Sequence, residues 1–77
     1  MSVDIYVYAM NGAEAIDVQV VPERDLTKEL LYELICACMW RCDRVEVKKS
    51  ISTVFGESMM ETVRCFNMKH FKLSLAN

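Results

Sequence analysis

A chain of 77 residues with net charge −2 and 53% hydrophobic content describes one folded domain, 1–77, and excludes a disordered segment. No apolar run approaches the roughly 20 residues of a bilayer span. The opening MSVDIYVY lacks the basic start of a signal peptide, so a cytoplasmic protein is expected. With two glycines in the whole chain, phosphate-cradling loops are missing, which argues against nucleotide enzymes.

Ser2–Met10 alternates, with Val3, Ile5, Val7 and Ala9 on one side and Asp4, Tyr6, Tyr8 and Met10 on the other. Asn11-Gly12 follows, a strong hairpin signal because both turn positions take positive φ. Ala13–Val21 alternates again. An Asn11-Gly12 loop sets Met10 opposite Ala13, Val7 opposite Ile16, Ile5 opposite Val18 and Val3 opposite Val20. The last three pairs stand on one apolar face. The outer face then pairs Tyr6 with Asp17 and Asp4 with Gln19.

Asp25–Arg44 has the clearest period in the chain and predicts the main helix. Asp25 is placed to cap its start. Pro22 lies just upstream, where it restricts the entering chain. Glu29 near the start and Arg41 and Arg44 near the end suit the helix dipole. Leu26, Leu30, Leu31, Leu34, Ile35, Ala37, Cys38 and Cys42 share the core half of the wheel, opposite Lys28, Glu29, Glu33 and Asp43. Tyr32, Cys36 and Trp40 form a second ridge at i, i+4, i+8, with Met39 beside it. Either this ridge packs within the fold or it meets another molecule, since Tyr, Trp and Met are favoured at interfaces.

Val45–Lys49 predicts a third strand, with Val45 and Val47 inward. Beyond Gly56 the pattern forks. Ser58-x-x-Glu61 matches a capping box ahead of Met59, Met60, Val63 and Phe66, which predicts a short helix over Met59–Lys69. The rival is a strand hairpin turning near Gly56. Phe71–Leu75 alternates and reads as a closing strand. The fold class is therefore α+β: an antiparallel sheet packed on one main helix, in the order β-β-α-β-(α)-β.

Four cysteines, Cys36, Cys38, Cys42 and Cys65, read as reduced thiols acting as small apolar residues. Cys38, Cys42, Cys65 and His70 are the possible zinc set. Cys36 points about 160° away from Cys38 on a helix, and the spacing is unlike usual zinc motifs. Cys65 and His70 could form a nucleophile pair, yet no oxyanion loop or orienting acid accompanies them. No catalytic residue, metal or cofactor is expected.

Residues 1–40 hold seven acids against two bases, and residues 41–77 hold seven bases against four acids. Such polarity suits self-association or a charged partner, unless the fold interleaves the two sets. Arg41, Arg44, Lys48 and Lys49, joined by Lys69, His70 and Lys72, could hold phosphates, which keeps a nucleic-acid-binding regulator as the alternative. The leading expectation is a non-enzymatic protein-binding module, an inhibitor or adaptor that occludes a larger protein target and can itself be a homodimer. A domain this small is marginally stable alone, and association would help it. Small chains of this kind are often carried by phages and mobile elements, an analogy from size. The candidate binding residues are Tyr32, Cys36, Met39, Trp40, Glu29 and Glu33 on the helix, with Tyr6 and Tyr8 on the hairpin.

Overall fold

The computed structural model describes residues 3–52 and 54–75, so Ser2, the first residue of the expected opening strand, lies outside the described residues. Two strands, β1 (Asp4–Asn11) and β2 (Glu14–Pro22), lead through a short 3-10 turn at Glu23–Asp25 into helix α1 (Lys28–Cys38). Strand β3 (Arg44–Ser52), strand β4 (Ser58–Asn67) and helix α2 (Met68–Leu75) complete the chain. The four strands form one antiparallel sheet in the order β2-β1-β3-β4. The expected α+β architecture is present: an antiparallel sheet, an N-terminal hairpin and a main helix.

Ile5, Val7 and Ala9 of β1 and Val45 and Val47 of β3 point to one face of the sheet. They form the core with Ile35, Cys38, Met39 and Cys42, and with Met68 and Phe71 of α2. Leu26, Leu31 and Leu34 pack at its margin, while Ala37 is exposed. Both helices therefore lie on the same side of the sheet. Extents of 45 × 27 × 16 Å describe a thin two-layer slab.

Helix α1 is shorter than its period suggests. Thr27, not Asp25, caps it: Thr27 Oγ1 accepts from the Leu30 N–H at 3.0 Å. Asp25 belongs to the preceding 3-10 turn. At the other end the helix stops at Cys38, and a turn carries Met39–Arg41 toward β3.

The hairpin register also differs from the Asn11-Gly12 expectation. The loop is Gly12-Ala13, with Asn11 opposite Glu14 and only Gly12 at positive φ (+62°). A bulge at Ile16 then adds a further residue between Ala9↔Asp17 and Met10↔Ala15. Tyr8 consequently faces Val18 rather than Ala15, a slip of three positions. An odd slip turns the β2 side chains beyond the bulge to the opposite face. Asp17, Gln19 and Val21 now stand on the helix side, and Val18 and Val20 stand on the outside opposite Tyr8 and Tyr6. Two anchors hold this arrangement. The Gly12 N–H donates to Asp43 Oδ2 at 2.7 Å, and Arg41 reaches the inward-facing Asp17 at 3.9 Å.

The last two elements are exchanged relative to expectation. The segment read as a helix over Met59–Lys69 is strand β4 as far as Asn67, reached by a turn with Gly56 at φ +80°, and only its last two residues, Met68 and Lys69, are helical, at the start of α2. Phe71–Leu75 is helical, within α2. Asn67 starts that helix, its Oδ1 accepting from the N–H groups of Lys69 (2.9 Å) and His70 (3.3 Å). Met68 and Phe71, three residues apart, then fall on one buried face.

Candidate protein-binding surface

Two surfaces carry the residues singled out from the sequence. The first is the outer face of the sheet. Tyr6 and Tyr8 alternate with the buried Ile5, Val7 and Ala9 and so point away from both helices. Their rings lie 6.4 Å apart, stacked, and Lys48 Nζ sits 5.2 Å above the Tyr8 ring. Beside them stand Val18 and Val20, the latter 54% exposed. The acid-ringed tyrosine pair expected from the sequence is thus corrected in part. Asp4 keeps its place on the same face of β1, two residues from Tyr6, but Asp17 has turned to the helix side, and the tyrosines face valines across β2.

A one-sided antiparallel sheet usually presents a polar outer face to water. Here β1 and β2 present tyrosine and valine, with charge at Asp4, where β1 begins, and along the β3 side. Glu46 accepts from Arg44 Nε at 2.8 Å and lies 3.6 Å from Lys48 Nζ. The Glu46 hydrogen bond, with help from Asp43, also holds the Arg44 guanidinium more firmly protonated.

The second surface is the outer flank of α1. Glu29, Tyr32, Glu33 and Cys36 gather with Lys28 around a shallow depression of about 490 Å³. Tyr32 also meets α2, its ring 5.1 Å from that of Phe71. On that side α1, β4 and α2 enclose a groove of about 520 Å³ lined by Leu31, Tyr32, Arg64, Phe66, His70 and Phe71.

Met39 and Trp40 do not join this flank. Because α1 ends at Cys38, the i, i+4, i+8 ridge breaks before Trp40. Met39 turns inward and is 7% exposed, a core residue rather than a contact residue. Trp40 is 76% exposed in the turn, with Lys72 Nζ 4.4 Å above its ring.

The cysteines divide by face. Cys42 Sγ lies 3.9 Å from Cys38 Sγ and 3.2 Å from the Cys38 carbonyl oxygen, both thiols in the core. Burial, reinforced by Cys42, pushes the Cys38 thiol up from 9.0 to about 11. Cys65 is exposed opposite Glu46, on the sheet face away from that pair. Among the described residues no three metal-type side chains converge. Cys65 and His70 border the α1–β4–α2 groove, and no hydrogen bond joins their side chains among the described residues.

The acidic and basic halves are interleaved rather than segregated. Arg41 pairs with Asp17, Arg44 with Asp43 and Glu46, Lys48 with Glu46, and Lys49 with Glu23 at 2.8 Å. No helix among the described residues is long and apolar enough to cross a membrane. Compared with protein-family models, curated proteins and solved structures, the chain matches none.

Proposed function

We propose that this protein is a non-enzymatic protein-binding module, an adaptor or inhibitor that occludes part of a larger protein target through the outer face of its sheet. The observation that carries this reading is the row of Tyr6, Tyr8, Val18 and Val20, which no layer covers among the described residues. Aromatic and aliphatic side chains beside a charged border have the composition of an interface centre and its rim. Glu46 and Lys48 supply that border. The α1 flank with Glu29, Tyr32, Glu33 and Cys36, and the exposed Trp40, offer secondary contacts. The ion pairs of Arg41, Arg44, Lys48 and Lys49 favour this reading over nucleic-acid binding, because each of these bases already has an acidic partner.

The test is affinity capture from cells of the native source, comparing wild type with a Tyr8→Ser/Val20→Ser variant. The reading expects one protein recovered in near-stoichiometric yield by wild type and lost by the variant, with both baits equally folded by circular dichroism. Recovery unchanged by the substitutions, or a nucleic acid as the main species recovered, would overturn it.

A further inference from the structure

The sheet has two edges, β2 and β4. Each presents backbone groups able to pair with another strand. They differ in how they are guarded. On β2, Asp17 points to the helix side, held by Arg41, and Pro22 closes the strand. On β4, Met59, Met60 and Val63 are all exposed, Met59 by 53%.

The β4 sequence is complementary to itself when reversed. Ser58-Met59-Met60-Glu61-Thr62 read against Val63-Arg64-Cys65-Phe66-Asn67 sets Glu61 opposite Arg64, Met60 opposite Cys65 and Met59 opposite Phe66. In a regular strand that register fails, because residues 61 and 64 would point to opposite faces. Strand β4 is not regular. Val47 pairs with Arg64 and Lys48 with Thr62, so Val63 is an extra, bulged residue at the middle of the match. Across the bulge Glu61 and Arg64 both fall on the helix side, opposite Lys49 and Val47. Met59 and Phe66 fall on that same side, while Met60 and Cys65 fall on the outer one.

The charges are also unspent. The cross-strand neighbour of Glu61, Lys49, is held by Glu23 at 2.8 Å. The Arg64 guanidinium lies 4.7 Å over the Phe66 ring. Neither Glu61 nor Arg64 makes an ion pair among the described residues.

From this register we infer that the β4 edge pairs with the β4 edge of a second copy of the chain, about a two-fold axis between Thr62 and Val63, joining two sheets into one of eight strands. The interface is isologous, and each copy supplies one member of each of two Glu61–Arg64 pairs. Met59 of each copy lies over Phe66 of the other, at the lip of the groove between α1, β4 and α2. A bulge and inward charges ordinarily blunt an edge against stray strands. Here they admit one register and penalise the rest, since a shifted partner meets a like charge or the wrong face.

Sedimentation equilibrium of the full chain over a wide concentration range tests this, with two sets of variants. Wild type is expected to weigh twice the chain mass at high concentration. Arg64→Glu, which sets two acids opposite one another twice, is expected to weaken the dimer by about tenfold or more. Glu61→Arg/Arg64→Glu, which exchanges the pair, is expected to restore it. In a Cys36→Ser background, Met60→Cys is expected to form an intermolecular disulfide with Cys65 on mild oxidation, because directly opposed antiparallel residues have Cα atoms about 4.5–5.5 Å apart. A wild type that stays monomeric overturns the inference. So does a dimer indifferent to Arg64→Glu and not restored by the exchange, or a Met60→Cys protein that yields no 60–65 cross-link.

Discussion

The Gly12 N–H donates a 2.7 Å hydrogen bond to Asp43 Oδ2, across 31 residues of chain. It ties the tip of the β1–β2 hairpin to the turn that leads into β3. Asp43 is a junction in other ways too. Its N–H donates to the Met10 carbonyl at 2.8 Å, its carbonyl accepts from the Met68 N–H at 3.1 Å, and its other carboxylate oxygen lies 3.1 Å from Arg44 Nη1. The hairpin turn, β3 and the start of α2 therefore meet at one residue. Asp43→Ala removes a charge-assisted bond to a backbone donor while leaving the main-chain bonds in place. The expected loss is about 1–2 kcal/mol in denaturant unfolding. Asp43→Asn keeps an acceptor and is expected to lose less.

Met39 and Trp40 are adjacent in sequence and opposite in role. Met39→Ala empties a buried site and is expected to cost about 2–4 kcal/mol. Trp40→Ala removes a mostly solvated ring whose cation contact is Lys72, and is expected to change stability by less than about 0.5 kcal/mol. Chemical denaturation of the two variants side by side checks the contrast. Equal losses would mean that the turn after Cys38 packs differently.

Cys38 makes stability depend on alkaline pH. Its thiol is raised on folding from 9.0 to about 11, so between those values the folded chain keeps a proton that the unfolded chain has released. Stability is therefore full below pH 9 and falls as pH rises toward 11. Cys38→Ala is expected to flatten that fall, measured as the urea midpoint across the pH series. In the native protein Cys36 and Cys65 are exposed, so a maleimide is expected to modify these two promptly, with Cys38 and Cys42 reacting only on unfolding.

How far the sequence could be read follows from how many faces of each element are buried. Strands β1 and β3 each bury one face, so Ile5, Val7, Ala9, Val45 and Val47 alternate and were legible. Helix α1 was legible by period, but its ends were not. Thr27 and Asp25 are both good caps, and Cys42 continues the apolar pattern after the helix has stopped.

The hairpin register was misread because Asn11-Gly12 is a strong local signal. The competing terms, Asp43 reaching Gly12 and the bulge at Ile16, come from tertiary structure. Strand β4 was misread because an edge strand exposed on both faces has no alternation to show, while Ser58 and Glu61 imitate a capping box. Helix α2 did carry a signal in Asn67, a capping residue before Met68 and Phe71, which the alternation of Phe71–Leu75 hid. Of the candidate contact residues, Glu29, Tyr32, Glu33 and Cys36 were brought together. Tyr6 and Tyr8 were too, with Asp4 still on their face but with Val18 and Val20 across from them in place of Asp17. Met39 was lost to the core because the helix ended two residues before the ridge did.

The claim on which the functional account rests is that the slip of three positions in β2 sets Val18 and Val20 outward on an uncovered face. The most direct test is the unfolding free energy of a Val18→Lys/Val20→Lys variant. A solvated face predicts a loss under about 1 kcal/mol per site, set by strand propensity alone. A loss of more than about 4 kcal/mol, the mark of charge forced into a core, would place these valines inside and contradict the account.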